Sequence, residues 1–127
     1  MINARCHPVK DKAARLSYAE AFCWCQVCPR GQCRKDFRGM VIHHLIRPGR
    51  SDEWCNFLFL CAVAHDLCHG YKIRVKGVLL PCLTLGQQLW IKRQCGPWNP
   101  ERLTELYRQN LPDLVEPPEC CLSRKKW

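Results

Sequence analysis

The sequence has no apolar stretch approaching the roughly 20 residues that a membrane-spanning helix requires. Its beginning, MINARCHPVKDKAARL, has no apolar segment followed by a cleavage-site pattern, so no signal peptide is expected. These absences favour an intracellular, reducing location. In such a compartment the twelve cysteines are more often metal ligands or buried thiols than disulfides.

Acidic residues are few: 11 Asp and Glu stand against 20 Lys and Arg, giving a net charge of +9. No single basic run accounts for the excess, which is spread along the chain. Such a surface is typical of proteins that contact a polyanion, with nucleic acid as the first candidate. The alternative is a basic protein whose charges only keep it soluble.

At 127 residues, 47% of them apolar, the chain is long enough for one domain with a modest core. We expect that domain to span residues 1–110. The Pro-rich and then basic segment 111–127 is predicted to be an extended or flexible tail. There is no internal repeat and no low-complexity segment.

The residue pattern predicts a mixed α+β fold. The predicted elements are a helix over 14–22, a Cys-rich turn over 23–38, strands over 40–46 and 56–60, a helix over 62–69, a hairpin turning at 76–77, and two C-terminal helices over 84–93 and 100–110. Thr84 with Gln87 fits a capping box, and Asn99 with Pro100 fits a helix start. Leucines and aromatics on the last two helices form apolar stripes that we expect in the core: Leu85, Leu89, Trp90, Leu103, Leu106 and Tyr107.

Four of the five histidines lie within residues 43–69, which read HHLIRPGRSDEWCNFLFLCAVAHDLCH. Neighbouring residues on a strand point to opposite faces, so His43 and His44 cannot have the same role. Residues four apart on a helix share a face, so His65 and His69 form a clamp for a metal ion. One strand histidine completes three ligands and leaves open positions, as in catalytic metal sites. The other, near the same cleft, suits a general base.

Asn56 stands between the histidine pairs, at the end of a loop. Its side chain can both donate and accept hydrogen bonds, so it can hold that loop rigid.

The stretch resembles the HNH nuclease motif, also called the ββα-metal or His-Me finger. The closest pattern is the histidine-rich form of nuclease colicins and stand-alone phage enzymes. The resemblance covers about residues 23–72 and implies a small metal-binding finger followed by flanking helices. It implies that His43, His65 and His69 bind the metal, that His44 is the general base, and that Asn56 holds the loop.

Many HNH proteins also carry a structural zinc bound by two Cys-x2-Cys pairs. Cys25 and Cys28 fit the first pair and Cys61 begins the second, but Ala64 stands where the last cysteine is expected. Cys33 or Cys23 would have to supply the fourth ligand. Cys68 is a poor substitute, because two helical turns separate it from Cys61. The alternative is a set of buried free thiols.

The resemblance implies a metal-dependent endonuclease that hydrolyses double-stranded DNA with weak sequence preference. The catalytic divalent ion would be Mg, Mn, Zn or Ni, and Arg47, Arg50 and Lys72 would neutralise phosphates. Two alternatives stay open: a zinc-binding nucleic-acid module without catalysis, and a nuclease subunit of a phage packaging or recombination machine. The resemblance implies double-stranded DNA rather than a membrane as the partner, with a homodimer or a phage-machine protein as further candidates.

Overall fold

A computed structural model describes residues 8–22, 25–27, 40–75 and 77–117. Within these residues the fold is α+β, with four α-helices and two small antiparallel sheets, as the sequence predicts. In chain order the elements are α1 Lys12–Phe22, β1 Val41–His44, β2 Phe57–Leu60, α2 Ala62–Cys68, β3 Ile73–Val75, β4 Val78–Leu80, α3 Leu85–Cys95 and α4 Pro100–Tyr107. The predicted Cys-rich turn over 23–38 lies largely outside the described residues.

The first sheet pairs β1 with β2, and α2 follows β2 after one residue. The register places His43 opposite Leu58 and His44 opposite Phe57. Because side chains alternate along a strand, His43 is buried while the adjacent His44 is partly exposed on the other face. The sheet therefore separates the two histidines as the sequence predicts.

The structure confirms the helix starts and the hairpin that the sequence predicts in the C-terminal half. Thr84 and Gln87 form a capping box at the start of α3, and the Asn99 side chain accepts a hydrogen bond from the Arg102 amide at the start of α4. The predicted hairpin is β3–β4, whose turn includes Gly77 with a φ of +83°. Lys76, the other predicted turn residue, lies outside the described residues.

In the part of the chain that the structure describes, the core consists of two apolar clusters. One joins the first sheet, α2 and part of α3, and the other lies between α3 and α4. The predicted apolar stripes are confirmed as core: Leu89, Leu103 and Leu106 are buried, and Leu85, Trp90 and Tyr107 pack against them partly buried.

Residues 111–117 run along α3 without helix or strand. Leu111 and Leu114 pack against the second cluster, and the Val115 amide donates to the Gly86 carbonyl at 3.2 Å. A Cβ atom at Gly86 would lie 2.4 Å from the Asp113 carbonyl oxygen, so this close approach requires glycine. The first part of the predicted tail is therefore extended and attached to the domain, and residues 118–127 are outside the described set.

No helix among the described residues has the length and apolar character needed to cross a membrane.

Lys92 on α3 is fully buried and connects three parts of the fold. Its Nζ donates to the backbone oxygens of Phe57 at 2.7 Å and Trp54 at 2.8 Å, and it lies 2.9 Å from the Tyr18 hydroxyl on α1. Burial lowers the pKa of Lys92. The nearby Cys55 and Cys95 thiols only partly oppose that effect.

We predict that Lys92→Met destabilises the protein by about 3 kcal/mol, because several buried oxygens lose their donor at once. In thermal unfolding this corresponds to a melting temperature lower by about 10 °C or more. Arg93→Met is the matched control, since Arg93 is exposed on the same helix. Equal melting temperatures for the two variants would show that Lys92 does not connect the fold.

Candidate metal centre

The structure brings His43, His65 and His69 together. One nitrogen from each ring lies within 4.8 Å of the others, and the ring centroids are 4.4 to 5.3 Å apart. His43 comes from β1, His65 lies in α2, and His69 directly follows α2, where Gly70 has a φ of +85°. Three imidazoles with converging nitrogens form a suitable ligand set for a divalent transition metal.

His65 and His69 already have the separation that binding to one shared ion requires. Their Nε2 atoms are 3.0 Å apart. Two nitrogens bound to one zinc ion at tetrahedral geometry are about 3.3 Å apart, given Zn–N distances of roughly 2.0–2.1 Å. Metal binding by this pair therefore needs little movement of either side chain.

Gln88 on α3 determines which ring nitrogen of His43 carries the proton. The Gln88 amide nitrogen donates to the carbonyls of Leu83 at 2.8 Å and Cys68 at 3.2 Å, so its oxygen faces His43 Nε2 at 2.8 Å. His43 Nε2 must therefore carry the proton, which leaves Nδ1 with a free lone pair. Nδ1 is buried and has no hydrogen-bond partner. A bound cation is one partner that satisfies such an atom, so this observation fits a metal centre.

Burial keeps the three imidazoles neutral, which metal binding requires. Burial lowers the pKa of His43 to about 4, and the hydrogen bond to Gln88 only partly offsets this effect. The pKa of His65 is lowered by burial and then by His69. Burial also lowers the pKa of His69, with a further contribution from Arg47. At neutral pH all three rings are available as ligands.

His44 faces away from this cluster and pairs with Asp52. Its Nε2 lies 2.8 Å from Asp52 Oδ1, and its ring packs edge-on against Phe57. Asp52 also accepts from the Asp11 amide at 2.9 Å and forms an ion pair with Arg15. Burial opposes ionisation of Asp52, but the contacts with His44, Asp11 and Arg15 outweigh it and lower its pKa. The carboxylate therefore holds the Nε2–H of His44 and leaves Nδ1 as the basic atom.

Asn56 is fully buried directly before β2 and holds the loop between the strands. Its side chain accepts from the Ile46 amide at 2.8 Å and donates to the carbonyls of Ile46 at 3.2 Å and Ser51 at 3.0 Å. This satisfies three polar backbone groups that the turn would otherwise leave unpaired. The loop is also attached to α4, through an ion pair between Glu53 and Arg102 at 2.7 Å.

Among the three predicted phosphate-binding residues, Arg47 and Arg50 are exposed on the loop and close enough to His69 to lower its pKa. Lys72 is exposed between α2 and β3, and no contact places it at the centre. Two arginines therefore add positive charge beside the histidine cluster.

The cysteine site is only partly described. The Cys61 amide donates to Cys25 Sγ at 3.3 Å, so the first and third predicted ligands lie side by side. Cys68 is partly buried and packs against the apolar cluster that contains Cys25 and Cys61, and burial raises its thiol pKa to about 12. Cys28, Cys33 and Cys23 lie outside the described residues.

Two residues at the centre are absent from the sequence prediction. Gln88 lies within an apolar stripe and 45 positions from His43, and no local pattern marks it as a histidine partner. Asp52 carries a weak signal, because it is one of few acidic residues and lies in the loop between the histidine pairs.

Comparisons of this chain with protein-family models, curated proteins and solved structures found no match. What the chain does is therefore inferred from its own residues.

We predict that His69→Ala lowers the affinity for Zn²⁺ by at least about tenfold, because it removes one of the three ligands. The affinity is measured by calorimetric titration of protein first treated with EDTA. His44→Ala is the matched control, since it removes the neighbouring histidine outside the cluster and should leave affinity unchanged. Unchanged affinity in His69→Ala, or an equal loss in both variants, would contradict the ligand set.

Proposed function

We propose that this chain is an HNH-type endonuclease, a metal-dependent enzyme that hydrolyses the phosphodiester bonds of double-stranded DNA. One observation carries the proposal. Two antiparallel strands and a following helix bring His43, His65 and His69 together, while His44 on the opposite strand face pairs with Asp52. The order and spacing of these residues agree with the ββα-metal finger that the sequence resembles.

The arrangement supplies the two things that phosphodiester hydrolysis needs. His43, His65 and His69 would hold a divalent ion, which would supply positive charge to stabilise the phosphate and the leaving 3′ oxygen. His44 accepts the proton of the attacking water at Nδ1, and Asp52 stabilises the imidazolium that results. Arg47 and Arg50 hold neighbouring phosphates.

DNA is the substrate that the charge favours. The chain has a net charge of +9, and the two loop arginines are exposed beside the histidine cluster. Contacts of this kind bind the phosphate backbone and carry little sequence information. We therefore expect weak sequence preference.

The alternative, a zinc-binding nucleic-acid module without catalysis, needs only the metal ligands. Such a module has no use for a partly exposed histidine hydrogen-bonded to a buried carboxylate. The His44–Asp52 pair therefore favours the enzyme and provides the means of separating the two functions.

We predict that His44→Ala reduces DNA cleavage by about a hundredfold or more, because it removes the general base. Asp52→Asn should reduce cleavage by about tenfold or more, since the amide no longer stabilises imidazolium and can favour the wrong tautomer. Cleavage is measured as the rate of supercoiled plasmid loss, with metal affinity and melting temperature measured in parallel.

Asp113→Asn is the control for the second variant, because Asp113 is exposed and far from the cluster in the chain. It should cleave as fast as the unmodified protein. If His44→Ala cleaved at the normal rate, the base assignment would be wrong. If the unmodified protein bound metal and DNA but never cleaved, the non-catalytic module would be the correct function.

A further inference from the structure

A pocket of about 450 Å³ opens beside the histidine cluster. Its walls come from the loop after β1, the end of α2, the start of α3 and the last residue of α4. His43 and His69 form part of the lining, so the pocket is continuous with the metal centre. The proposed hydrolysis does not use this space.

The lining suits a flat, largely apolar group with polar edges. Ile46, Pro48 and Leu85 contribute apolar surface, and Tyr107 contributes an aromatic ring. Arg47 adds a guanidinium at an exposed position of the loop. Nucleobases have this character, and they stack on aromatic side chains and arginine planes. The volume falls within the range of roughly 300–1,000 Å³ that is usual for small-molecule sites.

The position of the pocket beside the histidine cluster limits which nucleobase can enter it. If the histidine cluster holds the phosphate to be cut, the pocket begins next to that phosphate, where one of its two nucleosides must lie. In an intact duplex that base is stacked and paired inside the helix. A base in the pocket must therefore have left the stack.

We infer that this pocket binds an extrahelical nucleobase, so that the substrate class is DNA with an unpaired or bulged nucleotide at the cut. This inference rests on the proposed nuclease function and specifies its substrate. Moving a base out of the stack costs a few kcal/mol in paired DNA and least where the base is already unpaired. The pocket therefore selects bulged or mismatched DNA by structure rather than by sequence.

The test uses the full chain carrying His44→Ala in the presence of Zn²⁺, so that the histidine cluster keeps its ion and binding is measured without appreciable cleavage. The probe is a short duplex with one bulged 2-aminopurine, compared with the same duplex carrying that base paired. We expect the bulged duplex to bind at least about tenfold more tightly, and its 2-aminopurine fluorescence to fall on stacking. Equal affinity for both duplexes, with unchanged fluorescence, would overturn the inference.

Tyr107→Leu removes the ring while keeping an apolar side chain against the second core cluster. It should reduce the preference for the bulge by about tenfold. Tyr71→Leu is the matched control, because Tyr71 is exposed and outside the pocket lining. Equal effects of the two variants would place the base elsewhere.

Cys82→Phe provides a second variant in case Tyr107→Leu unfolds. Cys82 is exposed and lines the pocket, so a larger side chain there can fill it without disturbing the core. Its preference for the bulge should disappear while binding to the paired duplex persists. A retained preference would overturn the inference.

Plasmid cleavage separates this inference from the function on which it rests. Cleavage by the unmodified protein without preference for bulged DNA would overturn the pocket assignment alone. A clear preference for the bulge without cleavage in any metal would support the pocket and contradict the nuclease.

Discussion

The alternation of side chains along β1 is the constraint on which the candidate centre depends. Pairing with β2 fixes the register, and the register places His43 towards the core and His44 away from it. A shift of one residue would exchange the two histidines and move His43 away from His65 and His69. The short sheet is held in register by Asn56 in the loop and by Lys92, which donates to the backbone where β2 begins.

Helix α3 supports the positions of both His43 and His44. Gln88 and Lys92 are four residues apart and therefore lie on the same helix face. The first sets the protonation of His43, and the second binds the backbone oxygen of Phe57, which is opposite His44 in the sheet. Buried polar side chains are costly unless they are fully hydrogen-bonded, and these two are. α3 thus positions the histidines as well as contributing leucines to the core.

Much of the fold follows from local sequence. The helix starts at Thr84 and Asn99, the helix end at Gly70 and the two strands beside the histidines are determined by neighbouring residues, and the structure confirms them. The histidine cluster is also foreseeable, because helical spacing joins His65 to His69 and strand alternation selects one partner.

The contacts between distant parts of the chain were not foreseeable. Gln88 reaches His43 across 45 positions and Lys92 reaches Tyr18 across 74, and neither has a local signal. Asp52 meets His44 because the loop turns back, and Asn56 stabilises that turn through the Ser51 carbonyl. Attachment of residues 111–117 to α3 depends on the absence of a side chain at Gly86, which the sequence alone does not relate to the tail. Tertiary packing, rather than propensity, decides each of these contacts.

The most direct test of the proposed metal-dependent nuclease is a plasmid assay on the protein after EDTA treatment. Supercoiled DNA is incubated without metal and then with Mg²⁺, Mn²⁺, Zn²⁺ or Ni²⁺ added back. We expect nicked or linear DNA with at least one ion and none in EDTA, because in the proposed function an ion held by the histidine cluster would stabilise the phosphate. Equal cleavage in EDTA, or no cleavage with any of the four ions, would contradict a metal-dependent nuclease.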